Sequence, residues 1–238
     1  MGVEFLGLPG SGKSTLSERV AAMLAKEGLP VRQTARDLAH GPRGGMRRIA
    51  KLVFVAREVA RHPRYALRSA RALRATGQRS RRVAFKMLFN WLLVSHLVRR
   101  SRRIPAVHLI DQGLHQALWS IGLEAGARSV AGMAGRLRGC APSPDVTVVV
   151  AAGSQTVVRR LHRRAGRDSR ADSWPGQDAR ALERAGALLD EVKALLPGGP
   201  ERRPHPSVID IDNDRDGDLE ANARRLAEAI VLRVEATS

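Results

Sequence analysis

The chain has 238 residues, of which 43% are hydrophobic and 27% are charged, and its single cysteine, Cys140, rules out an internal disulfide framework. No apolar run reaches the roughly 20 residues of a membrane-spanning helix, and the N-terminus lacks the basic start of a secretory signal. The net charge is +18, and residues 41–104 carry +17 of it with Glu58 as their one acid. We therefore expect a globular, cytoplasmic protein with one strongly basic segment.

Apolar runs and helical spacings predict strands that alternate with helices along the chain. The predicted strands are 3–8, 31–34, 106–110, 145–151 and 207–211. The predicted helices are 14–27, 47–62, 64–76, 81–102, 114–123, 128–137, 154–165, 177–196 and 218–234. Such alternation is typical of a three-layer α/β/α fold with a five-stranded parallel sheet, here in one domain over 1–238. In these sheets ligands bind at the carboxyl ends of the strands.

The loop after the first strand matches the phosphate-binding pattern G-x-x-x-x-G-K-[ST]. It consists of Gly7, Leu8, Pro9, Gly10, Ser11, Gly12, Lys13 and Ser14. Glycines bring backbone N–H groups close to phosphate oxygens, and the helix that follows points its positive N-terminus at the same anion. We expect Lys13 to reach the β- and γ-phosphates, Ser14 to ligate Mg²⁺ and Thr15 to assist at the phosphates. An ordinary glycine-rich turn is the alternative, but the pattern favours a P-loop that binds a nucleoside triphosphate.

The third predicted strand ends in a carboxylate, Asp111. In P-loop proteins an acid at this position holds Mg²⁺ or polarises the acceptor. The alternative is an aspartate that caps the helix after it. Because the phosphate loop lies at the same predicted edge of the sheet, we interpret Asp111 as catalytic and pair it with Ser14 as the metal site.

Several of these features together resemble the nucleoside monophosphate kinase group, and thymidylate kinases most of all. They are the loop Gly7–Thr15, the run Asp111-Gln112-Gly113, an arginine cluster after the fourth strand, and a short final strand–helix unit. The resemblance implies a P-loop kinase whose acceptor is a nucleoside monophosphate. Gln112 stands where thymidylate kinases have an arginine that contacts the acceptor phosphate, and the interior of the loop differs as well. A sugar, antibiotic or lipid alcohol therefore stays open as the acceptor.

The resemblance also implies two further functional segments. Residues 154–176 correspond to a lid whose arginines close over the nucleotide and stabilise the transferred phosphoryl, and we favour Arg159 and Arg163 for this role. After the second strand, Arg36 would bind an acceptor phosphate, and either Asp37 there or Asp111 would take the proton of an alcohol acceptor. A solvated basic helix is the alternative for the lid, and a plain helix cap is the alternative for Asp37.

The basic segment 41–104 is predicted to form three helices between the second and third strands, and we expect an inserted cap over the acceptor side. Its most apolar part, 83–98, admits three interpretations: a core helix on the sheet, a helix lying on an anionic membrane, or a nucleic-acid contact. The chain has only eight Phe, Trp and Tyr residues, and they do not alternate with basic residues in a way that suggests base stacking. Nucleic acid is therefore disfavoured, while a peripheral membrane contact stays open.

The sequence thus predicts an ATP-dependent, Mg²⁺-dependent phosphotransferase that moves the γ-phosphoryl to a small molecule. The guanine-specific pattern N-K-x-D does not occur, which favours ATP. The alternative is a nucleotide-dependent switch protein whose basic segment engages nucleic acid or an anionic membrane.

Overall fold

The computed structural model describes residues 1–33, 44–125, 128–137, 139–163, 179–196 and 207–236. Within them, five strands alternate with helices. The strands are β1 (Gly2–Leu6), β2 (Val31–Gln33), β3 (Val107–Ile110), β4 (Val146–Ala151) and β5 (Val208–Asp212). The α-helices are α1 (Lys13–Lys26), α2 (Gly44–Arg61), α3 (Pro63–Arg74), α4 (Arg81–Ser101), α5 (Leu114–Ala125), α6 (Arg128–Leu137), α7 (Ser154–His162), α8 (Ala179–Ala194) and α9 (Leu219–Glu235).

The strands form one parallel sheet in the order β2-β3-β1-β4-β5. β1 lies at its centre, with Val3 opposite Leu109 of β3 and Phe5 opposite Val148 of β4. All five residues of β1 are buried. The predicted α/β class and five-stranded parallel sheet are therefore confirmed. The first strand is shorter than the predicted 3–8, because the backbone after Leu6 turns into the loop.

Each face of the sheet is covered by helices, which gives three layers. Alternate residues of β1 point to opposite faces. Val3 and Phe5 pack with the buried aliphatic side chains of α1 and α9. Leu6 packs on the other face, in a larger core that α3, α4, α5, α6 and α8 complete. The carboxyl ends of the parallel strands are thus left at one open edge between the layers.

Helix α4 belongs to the core. Trp91, Leu92 and Val98 are buried against the sheet layer. The Trp91 indole donates to Ser69 Oγ of α3 at 3.2 Å, which joins the two helices inside the core. From Met87 onward the helix is a core helix, as one of the three interpretations of 83–98 predicts, whereas Phe85 in its first turn is 69% exposed.

Helix α2 packs on α4 through a buried acid, Glu58. Its carboxylate accepts a hydrogen bond from Arg99 Nε at 3.0 Å and lies 3.5 Å from His96 Nδ1. Burial alone would raise the pKa of Glu58, but the hydrogen bonds from His96 and Arg99 lower it below its ordinary value. The one acid of the basic segment is therefore used to hold two helices together.

In the described part of the chain, no helix has both the length and the apolar composition needed to cross a membrane.

Candidate active site

The loop between β1 and α1 has the conformation that its glycines permit. Gly10 and Gly12 have φ angles of 88° and 92°, a left-handed conformation that side chains with a Cβ rarely adopt. A Cβ on Gly7 would meet the carbonyl oxygen of Val150 in β4, so the loop passes directly against the neighbouring strand. Gly12 is the N-cap of α1, and no described side chain caps this helix end. The first N–H groups of α1 therefore join those of the loop as donors for an anion.

Lys13 lies over the beginning of this loop. Its ammonium group donates to the carbonyl oxygens of Gly7 and Leu8, both at 2.8 Å. The cation is thus held beside the backbone that the pattern assigns to phosphate binding. The next residues, Ser14 and Thr15, are exposed on the first turn of α1.

Asp111 lies opposite Ser14, just after β3. The Ser14 hydroxyl donates to Asp111 Oδ2 at 3.4 Å, and Asp111 Oδ1 is buried without a hydrogen-bond partner among the described residues. Burial raises the pKa of Asp111, although the Ser14 hydrogen bond and the Lys13 charge act in the opposite direction. The carboxylate is therefore a poorly solvated anion that a cation would stabilise.

Ser14 and Asp111 fit a magnesium ion by their chemistry. Both offer hard oxygen atoms, and the described residues make no hydrogen bond of good geometry to Asp111 Oδ1. The described residues contain no cluster of three or more His, Cys, Asp or Glu side chains that could hold a metal. Mg²⁺ needs no such cluster, because it is commonly bound by one or two protein oxygens, phosphate oxygens and water.

A buried carboxylate in β1 fixes the helix that follows Asp111. Glu4 is fully buried and accepts hydrogen bonds from the backbone N–H groups of Leu114, at 2.7 Å, and His115, at 3.2 Å, and it contacts the His115 ring Nδ1. Burial alone would lower the pKa of His115, but the Glu4 charge raises it above its usual value. The next residue, Gln116, accepts the Gly7 N–H with its Oε1 at 3.2 Å. Helix α5 is therefore tied to both β1 and the phosphate loop.

The loop after β5 supports the phosphate loop from the other side. Asn213 Nδ2 donates to the Ser11 carbonyl oxygen at 2.8 Å, and Arg160 of α7 donates to the Asn213 carbonyl oxygen at 2.9 Å. A Cβ on Gly12 would lie 3.8 Å from Arg160 Nη1, which shows how close this guanidinium is to the loop. Asp214 accepts the Gly153 N–H at 2.7 Å, and this hydrogen bond, followed by that of Thr156, lowers the pKa of Asp214.

The sequence-predicted residues are thus only partly brought together. Lys13, Ser14 and Asp111 meet at the carboxyl ends of β1 and β3. Arg159 and Arg163 are both exposed, and Arg159 reaches Thr156 Oγ1 at 3.4 Å. Arg36 and Asp37 lie outside the described residues, as does the predicted lid from position 164 onward.

Four residues that contact or support the loop were not among the predicted site residues: Glu4, Gln116, Arg160 and Asn213. Glu4 had a usable signal, since a charged residue inside an apolar central strand has to be paired. Arg160 stood in the predicted arginine cluster but was not the favoured member. Nothing in the local pattern marked Gln116 or Asn213.

Comparisons with known proteins agree with this architecture. No protein-family profile matches the chain, and no curated protein sequence matches it. A solved structure of deoxyadenosine kinase from M. mycoides, with the product dCMP and a flexible dCDP bound, is similar over 97% of this chain and 98% of that one. The TM-score is 0.56 and the sequence identity is 12%, so the likeness concerns the fold. The chain has the α/β fold of a P-loop nucleoside kinase.

Proposed function

We propose that this protein is a kinase that transfers the γ-phosphoryl of ATP to a small acceptor. The observation that carries the proposal is the juxtaposition of Lys13, Ser14 and Asp111 around a glycine loop at the carboxyl edge of a parallel sheet. An isolated glycine loop binds anions in many proteins. A loop with a lysine above it and a buried carboxylate opposite has the parts that phosphoryl transfer requires.

Each residue has a distinct task in this proposal. The N–H groups of the loop and of the first turn of α1 bind the phosphate chain, and Lys13 exchanges its carbonyl partners for phosphate oxygens. Ser14 and Asp111 hold Mg²⁺, which neutralises phosphate charge when it is bound. Arg160 lies beside Gly12 and stabilises the charge that develops on the transferred group.

The acceptor is proposed to be a nucleoside or a nucleoside monophosphate. The fold likeness to a deoxyadenosine kinase supports a nucleoside, whereas the resemblance to thymidylate kinases supports a monophosphate. Gln112, which follows Asp111, is exposed and carries no charge. Since an arginine is the usual partner of an acceptor phosphate, Gln112 favours an uncharged acceptor hydroxyl at this position.

The test follows γ-labelled phosphate from Mg·ATP into a mixture of nucleosides and nucleoside monophosphates that includes thymidine and thymidylate. We expect label in a monophosphate or a diphosphate, and we expect Lys13→Ala to abolish it, because the charge at the phosphates is lost. Label in a monophosphate identifies a nucleoside acceptor, and label in a diphosphate identifies a monophosphate acceptor.

The control is Lys193→Ala, which removes a half-buried lysine of α8 that pairs with Asp190. Transfer that survives in Lys13→Ala contradicts the assignment. Label released only as inorganic phosphate contradicts both a nucleoside and a nucleoside monophosphate acceptor. That result would favour the nucleotide-dependent switch, or a kinase of a sugar, antibiotic or lipid alcohol.

A further inference from the structure

Helix α2 presents an apolar face to solvent. Ile49 and Leu52 are 60% and 58% exposed, and Val53 and Val59 are 39% and 40% exposed. These four residues and the exposed Ala56 lie within an arc of about 120° on the helix, at 3.6 residues per turn. Single exposed aliphatic residues are ordinary on protein surfaces, but a continuous stripe marks an interaction site.

Basic residues border the stripe on both sides. Arg48 follows one margin and Arg57 and Arg61 follow the other, and all three are exposed. On the neighbouring helix α3, Leu67 is 52% exposed and stands between the exposed Arg64 and Arg68. The acid of this region, Glu58, points the opposite way and is buried against Arg99. In the described part of segment 41–104, the exposed surface is therefore apolar and cationic without any exposed acid.

The helix is held rigidly in this orientation. On its inner side the Phe54 ring stacks on the His96 ring with a centroid distance of 5.1 Å, and the Arg100 guanidinium lies 5.4 Å from the Phe54 centroid. With the Glu58–Arg99 ion pair, these contacts anchor α2 on α4. The apolar stripe is therefore presented by a preformed helix, which lowers the ordering cost of binding.

The charges of the border distinguish between possible partners. A second copy of this chain packed symmetrically through the stripe would bring like charges together, which is unfavourable. A nucleic acid would neutralise the arginines but would leave the aliphatic stripe exposed. A bilayer that contains acidic lipids satisfies both features, because the aliphatic side chains enter the acyl boundary while the arginines meet headgroup phosphates.

We propose that α2 lies on the surface of an anionic lipid bilayer and anchors the protein there. The surface consists of Ile49, Leu52, Val53, Ala56 and Val59, with Arg48, Arg57 and Arg61 at its borders. This contact does not depend on the proposed kinase activity, since none of these residues touches the phosphate loop.

The experiment measures co-sedimentation of the whole chain with vesicles of phosphatidylcholine, with and without about one third phosphatidylglycerol. We expect binding to the anionic vesicles that weakens with salt, and little binding to the neutral ones. The double variant Ile49→Gln/Leu52→Gln keeps the charge and removes two aliphatic contacts. It should bind anionic vesicles roughly tenfold more weakly or worse.

Leu232→Gln is the matched control, because Leu232 is 66% exposed on α9, away from the basic segment. It should bind like the unchanged protein. A second double variant, Arg48→Gln/Arg57→Gln, should lose anionic selectivity while keeping the aliphatic stripe. Circular dichroism checks that every variant is folded, which is expected because all the substituted side chains are exposed.

Three results would overturn the proposal. The first is absence of vesicle binding by the unchanged protein, and the second is equal loss of binding in Leu232→Gln. The third is a dimer in solution that Ile49→Gln/Leu52→Gln dissociates, since the stripe would then be covered by a second copy. If the first result comes with binding to a polynucleotide that Arg48→Gln/Arg57→Gln weakens, the surface is assigned to nucleic acid.

Discussion

The negative charge of Asp111 lowers the stability of the fold but favours metal binding. Its carboxylate is half-buried beside Ser14, with Oδ1 out of contact with water, and burial raises its pKa. A group that is harder to ionise in the folded state destabilises the fold once it is ionised. The same poorly solvated negative charge is what would bind a magnesium ion tightly. A functional residue that weakens the fold in this way is common at catalytic sites.

The variant Asp111→Asn separates these two effects. Above the folded-state pKa the ionised carboxylate costs its full share of stability, so the variant should melt at a higher temperature than the unchanged protein at about pH 8. The difference should shrink as the pH falls through the interval between the folded and unfolded pKa values. Phosphoryl transfer should fall roughly a hundredfold or more. Thermal melts across pH, with turnover measured on the same samples, check both expectations.

The control for this variant is Asp210→Asn, which changes an exposed aspartate of β5. Its melting temperature should stay close to that of the unchanged protein. A lower melting temperature for Asp111→Asn at high pH would contradict the account of this carboxylate.

At the scale of the element, the arginines at the end of α7 differ in their surroundings. Arg160 bonds to the loop after β5 and stands near Gly12, whereas Arg159 and Arg163 are exposed. Arg160→Ala should therefore lower kcat by roughly a thousandfold. Arg163→Ala should lower it by less than about tenfold, because Arg163 is exposed at the C-cap of α7. Steady-state kinetics of the two variants, with melting temperatures as a check on folding, give the comparison.

The comparison of Arg160→Ala with Arg163→Ala decides which of the two arginines stabilises the transferred phosphoryl group. A larger loss in Arg163→Ala would support the residue favoured by the sequence pattern. Arg160→Lys adds a finer distinction, since it keeps the charge but loses the planar guanidinium. It should recover part of the activity if the role of Arg160 is electrostatic.

Local patterns predicted the elements well, and for a physical reason. Helix α6 has the predicted bounds 128–137, and β4 starts one residue after the predicted position, because periodicity and apolar runs are properties of neighbouring residues. The phosphate loop is also contiguous in the chain, and Asp111 is marked by the end of a strand. The Asn213–Ser11 contact joins residues 202 positions apart, and the Glu4–Leu114 contact joins residues 110 apart. No local pattern carries information about such pairs.

The interpretation of 83–98 as a membrane-surface helix shows the same limit of local sequence patterns. Residues 83–98 are the most apolar part of the basic segment, and from Met87 onward they pack mainly inside the molecule. Helix α2 has a lower apolar content, but its aliphatic residues share one face and that face is outside. The amino-acid composition indicated that this segment has helices with apolar surfaces. Only the packing shows which of these surfaces lies in the core and which faces solvent.

At the scale of the whole molecule, the basic segment 41–104 is expected to cap the acceptor side of the site. Arg68, Arg71 and Arg74 are exposed along α3. If these charges attract or hold an anionic acceptor, charge reversal at all three should raise the acceptor KM by about tenfold and leave the ATP KM unchanged. Reversal of Arg180, Arg184 and Arg224, which are exposed on α8 and α9, is the control with an equal change of charge. Unchanged kinetics with a soluble acceptor would contradict the cap.

The central position of β1 has a consequence for how the chain folds. β1 precedes its neighbours β3 and β4 by about a hundred residues or more, yet it pairs with both. During synthesis one edge of β1 has no partner until the chain has extended past residue 110, and the Glu4 carboxylate has none until it has passed residue 115. The other edge waits until the chain has passed residue 149. The sheet therefore forms late and through contacts of high sequence separation. While β1 is unpaired, a chaperone that binds extended apolar segments would recognise Gly2–Leu6.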